Sequence, residues 1–147
     1  MIRCFEAADE DAVVRLFLAS TIPGQDFLPE EHWLAMEPKL RTQILPHADT
    51  WLVEAEGEVV AFIVTVGNHI EGLFTDPDHQ GRGHGKRLVE HVLERLDGVR
   101  VELYEANERA VGVYRARGFV DHERREGDLP GLPKLIMRPG EDLTGPE

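Results

Sequence analysis

The sequence contains a single cysteine, Cys4, among 147 residues. No internal disulfide can form, and no multi-cysteine zinc site can be built. The opening MIRCFEAADEDAVV has no long apolar run, and nothing later approaches the length of a membrane span. A reducing, cytoplasmic setting away from membranes is the expectation. Basic charge is also scarce, with 16 Lys+Arg against 28 Asp+Glu and a net charge of −12. Such a surface repels phosphate backbones, which argues against nucleic acid or an anionic membrane as the main partner. What is present, 41% hydrophobic and 30% charged residues, is the composition of a globular protein of one domain, with apolar content enough for a core.

The hydrophobic period assigns the elements. Residues 2–7 read as a short strand, and Asp9 as the N-cap of a helix bearing Val13, Val14, Leu16 and Phe17. Thr21-Ile22-Pro23-Gly24 should break that helix. A second helix begins at Pro29-Glu30-Glu31 and runs towards Leu40, Ile44 and Leu45, with Pro38 a point of kinking or splitting. From Asp49 the period falls to two, predicting strands over 50–56, 59–66 and 69–75 that end at Asp76-Pro77-Asp78. Residues 85–96 form the clearest helix, with Leu88, Val89, Val92, Leu93 and Leu96 on one stripe and Asp97-Gly98 as its stop. A strand over 99–104, a helix over 107–117, and strands over 119–123 and 132–137 follow. The order β-α-α-β-β-β-α-β-α-β-β describes a single α/β (α+β) domain with a mixed sheet over residues 1–138, and the polar residues 139–147 read as a frayed tail.

The chemistry concentrates in residues 76–87, DPDHQGRGHGKR, between a strand and the clearest helix. Gly81, Gly83 and Gly85 let successive N–H groups turn to one point, and a helix N-terminus adds unpaired donors and a positive dipole end. That suits a phosphate; a plain flexible turn is the alternative. Charge favours the phosphate. His79, Arg82, His84, Lys86 and Arg87 stand there with no acid between His79 and Val89. Cations in a first helical turn oppose the dipole by roughly 0.3–1 kcal/mol each, unless an anion meets both. The spacing is neither G-x-x-x-x-G-K-[ST] nor G-x-G-x-x-G, which sets aside nucleoside triphosphatases and dehydrogenases.

Gln80-Gly81-Arg82-Gly83-His84-Gly85 resembles the Q/R-x-x-G-x-G/A signature of the GNAT superfamily of N-acetyltransferases. Asn107-x-x-Ala110-x-x-x-Tyr114-x-x-x-Gly118-Phe119 is similar to that family's second signature, in the same order and at its usual separation. The stretch from Asp76 to Phe119 looks closest to small bacterial acetyltransferases of unassigned substrate. The resemblance implies the GNAT fold and acetyl-CoA as cosubstrate, with no metal. It also implies an amine as acceptor, direct transfer in a ternary complex, and homodimerisation as an available state. Backbone N–H groups of Gln80, Gly81, Arg82, Gly83, His84 and Gly85 would cradle the pyrophosphate, with Arg82, Lys86 or Arg87 reaching its oxygens. Phe74 and Thr75 would offer strand backbone to the acetyl-pantetheine arm and to the oxyanion. His84 stands where the family usually has an apolar residue.

Asn107 and Tyr114 lie about two helical turns apart, on one face. Capping suffices for the first and core packing for the second; the resemblance adds a pantetheine contact for Asn107 and protonation of the departing thiolate for Tyr114. A lysine amine near pKa 10.4 needs a base more than an α-amine near 7.7 does. His69 and Glu71, two apart on one strand face, are the candidate bases, with a solvated strand face as the alternative. Acceptor recognition is expected from Gln25, Asp26, Phe27, Glu30, Glu31 and Trp33 and from residues 126–133. Two rival functions stay open here: a non-catalytic acyl-CoA-binding sensor, and an acyltransferase for a longer acyl group.

Overall fold

The computed structural model describes residues 1–127 and 129–140. Seven strands and four α-helices follow in the order expected: β1 (Ile2–Cys4), α1 (Glu10–Gly24), α2 (Glu30–Lys39), β2 (Asp49–Ala55), β3 (Glu58–Val66), β4 (His69–Thr75), α3 (His84–Arg95), β5 (Arg100–Tyr104), α4 (Glu108–Ala116), β6 (Phe119–Arg125) and β7 (Lys134–Pro139). They form one mixed sheet in the order β1-β2-β3-β4-β5-β7-β6. Every pairing is antiparallel except β4 with β5.

Strand alternation divides the core between the two faces of the sheet. Leu52 and Phe62 turn to one face, where they meet Val13, Val14 and Phe17 of α1 and Trp33 of α2. Their neighbours Val53 and Ile63 turn to the other, against Leu88, Val89 and Val92 of α3 and Val111 and Tyr114 of α4. The α3 stripe is as the sequence predicts, with Leu88, Val89 and Val92 fully buried. Each such side chain contributes about 1.5–3 kcal/mol of transfer free energy.

Four expectations about local structure change. Helix α1 runs through Pro23 to Gly24 rather than breaking at Thr21. A proline in a last turn forfeits one hydrogen bond, and that end is held by the Ser20 and Thr21 hydroxyls donating to the Phe17 carbonyl at 3.1 and 2.7 Å. Pro38 leaves α2 unbroken; the chain then passes through a π-turn over Leu40–Ile44 and a 3-10 turn over Leu45–His47. Asp9 occupies the N-cap of α1 without capping it. Its carboxylate accepts from the Glu6 N–H at 2.8 Å and from both Arg3 guanidinium ends at 2.9 and 2.8 Å. The Arg3 hydrogen bonds hold the Asp9 carboxyl below its usual range. Strand β7 extends through Pro139, which pairs with Phe119, and the Gly140 N–H donates to the Gly118 carbonyl at 2.9 Å. The rest of the expected tail, residues 141–147, lies outside the described residues.

Candidate active site

Strands β4 and β5 are the one parallel pair, and they register at only two positions, His69 with Arg100 and Ile70 with Val101. On the other side of β4 the register slips: Thr65 faces Ile70 while Val64 faces Gly72, leaving Glu71 as an unpaired bulge residue. A bulge adds a residue to one strand and bends it. Beyond Ile70, β4 therefore has no strand partner on its β5 side, and the sheet opens into a cleft.

The cleft has two compartments that share Gln25, Leu73, Phe74, Asn107 and Ala110. The smaller, about 190 Å³, lies at the loop between β4 and α3. The larger, about 450 Å³, lies where β4 and β5 part.

The loop is pinned at both ends. The Asp76 N–H donates to the Val60 carbonyl at 2.8 Å, and the Gln80 side-chain amide donates to the Thr75 carbonyl at 3.3 Å. Gly81 and Gly83 take φ of +81° and +87°, the left-handed region that side chains resist. Gly83 is the N-cap of α3 and offers no side-chain acceptor, so the first-turn N–H groups stay free for a ligand. Phe74, Thr75, Gln80, Gly81, Gly83, His84, Gly85, Lys86 and Asn107, all expected from the sequence, line this compartment together. Arg82 does not; it is exposed, and its guanidinium donates to the Asp78 carbonyl at 3.3 Å. The Arg87 guanidinium lies 2.6 Å from His84 Nδ1, which accepts when the imidazole is neutral. Burial first, then Arg87, His79 and Arg82, lower the His84 pKa and favour that neutral form. Donors, dipole and cations thus converge on a space that suits a multiply charged anion.

Phe74 has separate tasks for side chain and backbone. Its ring packs against Phe17 and Phe62, at centroid distances of 5.2 and 4.9 Å. That anchors the strand whose unpartnered edge borders both compartments. An extended chain can lie along such an edge as an added strand.

In the larger compartment, Tyr114 is 1% exposed yet lines the wall, with its ring 5.2 Å from Phe119. Burial raises its phenol well above the ordinary value of 10, so the group stays protonated at physiological pH. Asn107 caps α4, its Oδ1 accepting from the Ala110 N–H at 3.4 Å, and lines both compartments. Glu71 lines the larger compartment. His69 lines neither; it is exposed at the far end of β4, before the bulge.

Of the residues expected to recognise an acceptor, Gln25 and Trp33 line the larger compartment, tied by the Trp33 indole N–H to the Gln25 carbonyl at 3.0 Å. Phe27 supports it indirectly by packing on Tyr104 at 5.4 Å. Asp26, Glu30 and Glu31 lie outside, as do the described residues of 126–133; Asp128 is outside the described residues. Sequence reasoning missed Glu102 and Tyr104 on β5, Lys134 on β7 and Arg109 in the first turn of α4. Alternation places Glu102 and Tyr104 on one strand face, but nothing local says that β4 and β5 separate beside it.

Comparison with known proteins agrees with this geometry. The model of the acetyltransferase (GNAT) family matches residues 9–119. The chain is 35% identical over 137 residues to the peptidyl-lysine N-acetyltransferase YjaB of Salmonella typhimurium, spanning 92% of this chain and 94% of that protein. To the peptidyl-lysine N-acetyltransferase YiaC of Escherichia coli it is 30% identical over 138 residues, spanning 93% and 94%. The solution structure of apo-form YjaB from Escherichia coli superposes with a TM-score of 0.79 at 34% identity, covering 93% of this chain and 95% of that one.

Proposed function

The chain belongs to the GNAT acetyltransferase family, and on that basis we propose that it acetylates the side-chain amine of protein-borne lysine by direct transfer from acetyl-CoA. Acetyl-CoA-dependent transfer to an amine is the reaction of the family and of this chain. The observation that carries the finer reading is the parting of β4 from β5. It joins an anion-suited loop at one end to a chamber at the other that holds two phenols, Tyr104 and Tyr114, and two carboxylates, Glu71 and Glu102. The named activity of the two relatives supports lysine as the acceptor.

In this reading the N–H groups of Gln80 through Gly85 and the Lys86 ammonium hold the pyrophosphate, and the acetyl-pantetheine arm runs along Phe74 and Thr75. Asn107 borders that path where the two compartments meet. Backbone N–H groups near Phe74 and Thr75 stabilise the oxyanion. Tyr114 donates to the departing sulfur. Glu71, with Glu102 on the facing strand, takes the proton that a lysine ammonium must lose. His69, outside both compartments, has no part in it. The catalytic unit, expected over residues 1–138, carries on to Pro139, where β7 ends. A cytoplasmic setting and an acceptor other than nucleic acid belong to the same proposal, supported by the lone free Cys4 and the acidic surface; a homodimer rests on the resemblance alone.

Thiol release measured over lysine-bearing peptides, free α-amines and polyamines tests the acceptor class. Lysine peptides should give the highest kcat/KM, and turnover confined to α-amines or polyamines would contradict the proposal. Glu71→Gln should slow lysine acetylation about a hundredfold and move the rate–pH profile to higher pH. It should affect an α-amine acceptor much less, because that amine is already largely neutral near pH 8.

A further inference from the structure

The chain has three lysines, Lys39, Lys86 and Lys134, against thirteen arginines. All three lysines line the cleft, Lys86 the loop compartment and Lys39 and Lys134 the larger one. Arginine supplies the cations elsewhere. Seven arginines pair with carboxylates, whereas no lysine does so among the described residues, despite the excess of acids. Two of the three amine side chains of the protein therefore stand in the compartment assigned to the acceptor amine, and the third at the anion loop.

Lys134 is the one held in place. It pairs in register with Tyr104 across β5 and β7, and its Nζ lies 4.9 Å from the centroid of the Tyr104 ring. Two residues along β5 on the same strand face is Glu102, which shares the compartment with Tyr104, Lys134, Glu71 and Tyr114. An aromatic face holds an alkylammonium weakly at an exposed site, enough to orient Lys134 and little enough to let it go. Lys39, at the C-terminal end of α2, has no comparable hold among the described residues.

We infer that Lys134 is an internal acceptor, acetylated in cis by the protein's own site when acetyl-CoA is bound and no external lysine is present. The ammonium first loses a proton to a carboxylate of the compartment or to water. The neutral Nζ then attacks the thioester carbonyl, so that a C–N bond forms and the C–S bond breaks. The sulfur leaves as CoA thiolate and is protonated to the thiol. The products are acetylated Lys134, free CoA and one proton. Acetylation removes the cation from the Tyr104 face and leaves a neutral amide on the acceptor wall, so the modified protein differs in its affinity for a cationic acceptor. This inference rests on the acetyl transfer assigned to the cleft.

Intact-mass measurement of the purified chain incubated with acetyl-CoA alone, followed by peptide mapping, tests it. The expected result is gain of one acetyl group at Lys134, at a first-order rate independent of protein concentration. The same label should appear about a hundredfold more slowly in Tyr114→Phe and be missing in Lys134→Arg. No label, label at Lys39 or Lys86, a rate that rises with protein concentration, or a rate indifferent to Tyr114→Phe would each overturn the inference. Thiol release with a lysine peptide, run in parallel, separates the two claims. Turnover of the peptide without self-labelling defeats the internal acceptor alone, and failure to bind or turn over acetyl-CoA defeats both.

Discussion

Replacing Tyr114 by phenylalanine should lower kcat for lysine acetylation by about a hundredfold or more, while leaving the Kd of acetyl-CoA essentially unchanged. The change removes one hydroxyl and keeps the ring, which is buried against Phe119 and anchored in the α3–α4 core, so the fold should persist. The size of the effect follows from what the phenol does. A thiol near pKa 8.5 is a stronger acid than even an ordinary phenol near 10, so complete transfer of the phenolic proton to sulfur is uphill by about 2 kcal/mol. Burial moves the Tyr114 phenol further up and widens that gap. In the proposed role Tyr114 would therefore act by hydrogen bonding to the sulfur as negative charge accumulates in the transition state, with the proton finally supplied from solvent. A second consequence is that the alkaline limb of the pH–rate profile should not belong to Tyr114 in the ordinary range; the limb that rises with pH should report the acceptor amine. Unchanged kcat in Tyr114→Phe, measured by thiol release at saturating substrates, would make the tyrosine a packing residue only.

Gly83→Val should weaken acetyl-CoA binding by roughly tenfold or more without unfolding the protein. Gly83 sits at φ +87° at the N-cap of α3, and an added Cβ would lie 3.3 Å from the Arg87 guanidinium. A left-handed conformation costs an L-residue about 1–2 kcal/mol, and a β-branched one more. The chain escapes that cost by relaxing the turn, which rotates the N–H groups away from their common point. Each hydrogen bond to a charged acceptor is worth about 1.5–3 kcal/mol, so partial loss of two already reaches tenfold. Calorimetric titration with CoA checks this, and an unaltered Kd would show that the turn does not hold the pyrophosphate.

The difference between these two predictions reflects how each part of the site is written into the chain. The loop was legible because its determinants are local: three glycines, a run of cations without acids, and a strongly amphipathic helix directly behind. The element order was legible for the same reason, since alternation and the α3 stripe act within a few residues. The larger compartment was not. It exists because β4 and β5, separated in sequence by α3, pair at only two positions, and because β4 carries a bulge at Glu71 in its hairpin with β3, a register slip that an alternating pattern does not show. Treating His69 and Glu71 as equivalent candidates assumed an unbroken strand. Glu71 is itself the bulge residue and lines the cavity, whereas His69, before the bulge, does not. Asp9 shows the same limit at smaller scale: its position promised a cap, and Arg3 on the neighbouring strand takes the carboxylate instead.

The central claim is that one cleft receives acetyl-CoA between the loop and the open edge of β4. Backbone amide NMR of the labelled chain during titration with CoA tests it most directly. The account predicts the largest, saturable shifts at residues 73–75 and 80–86, with smaller changes at Asn107 and Ala110. Saturable binding whose shifts leave both of those segments unmoved would contradict it.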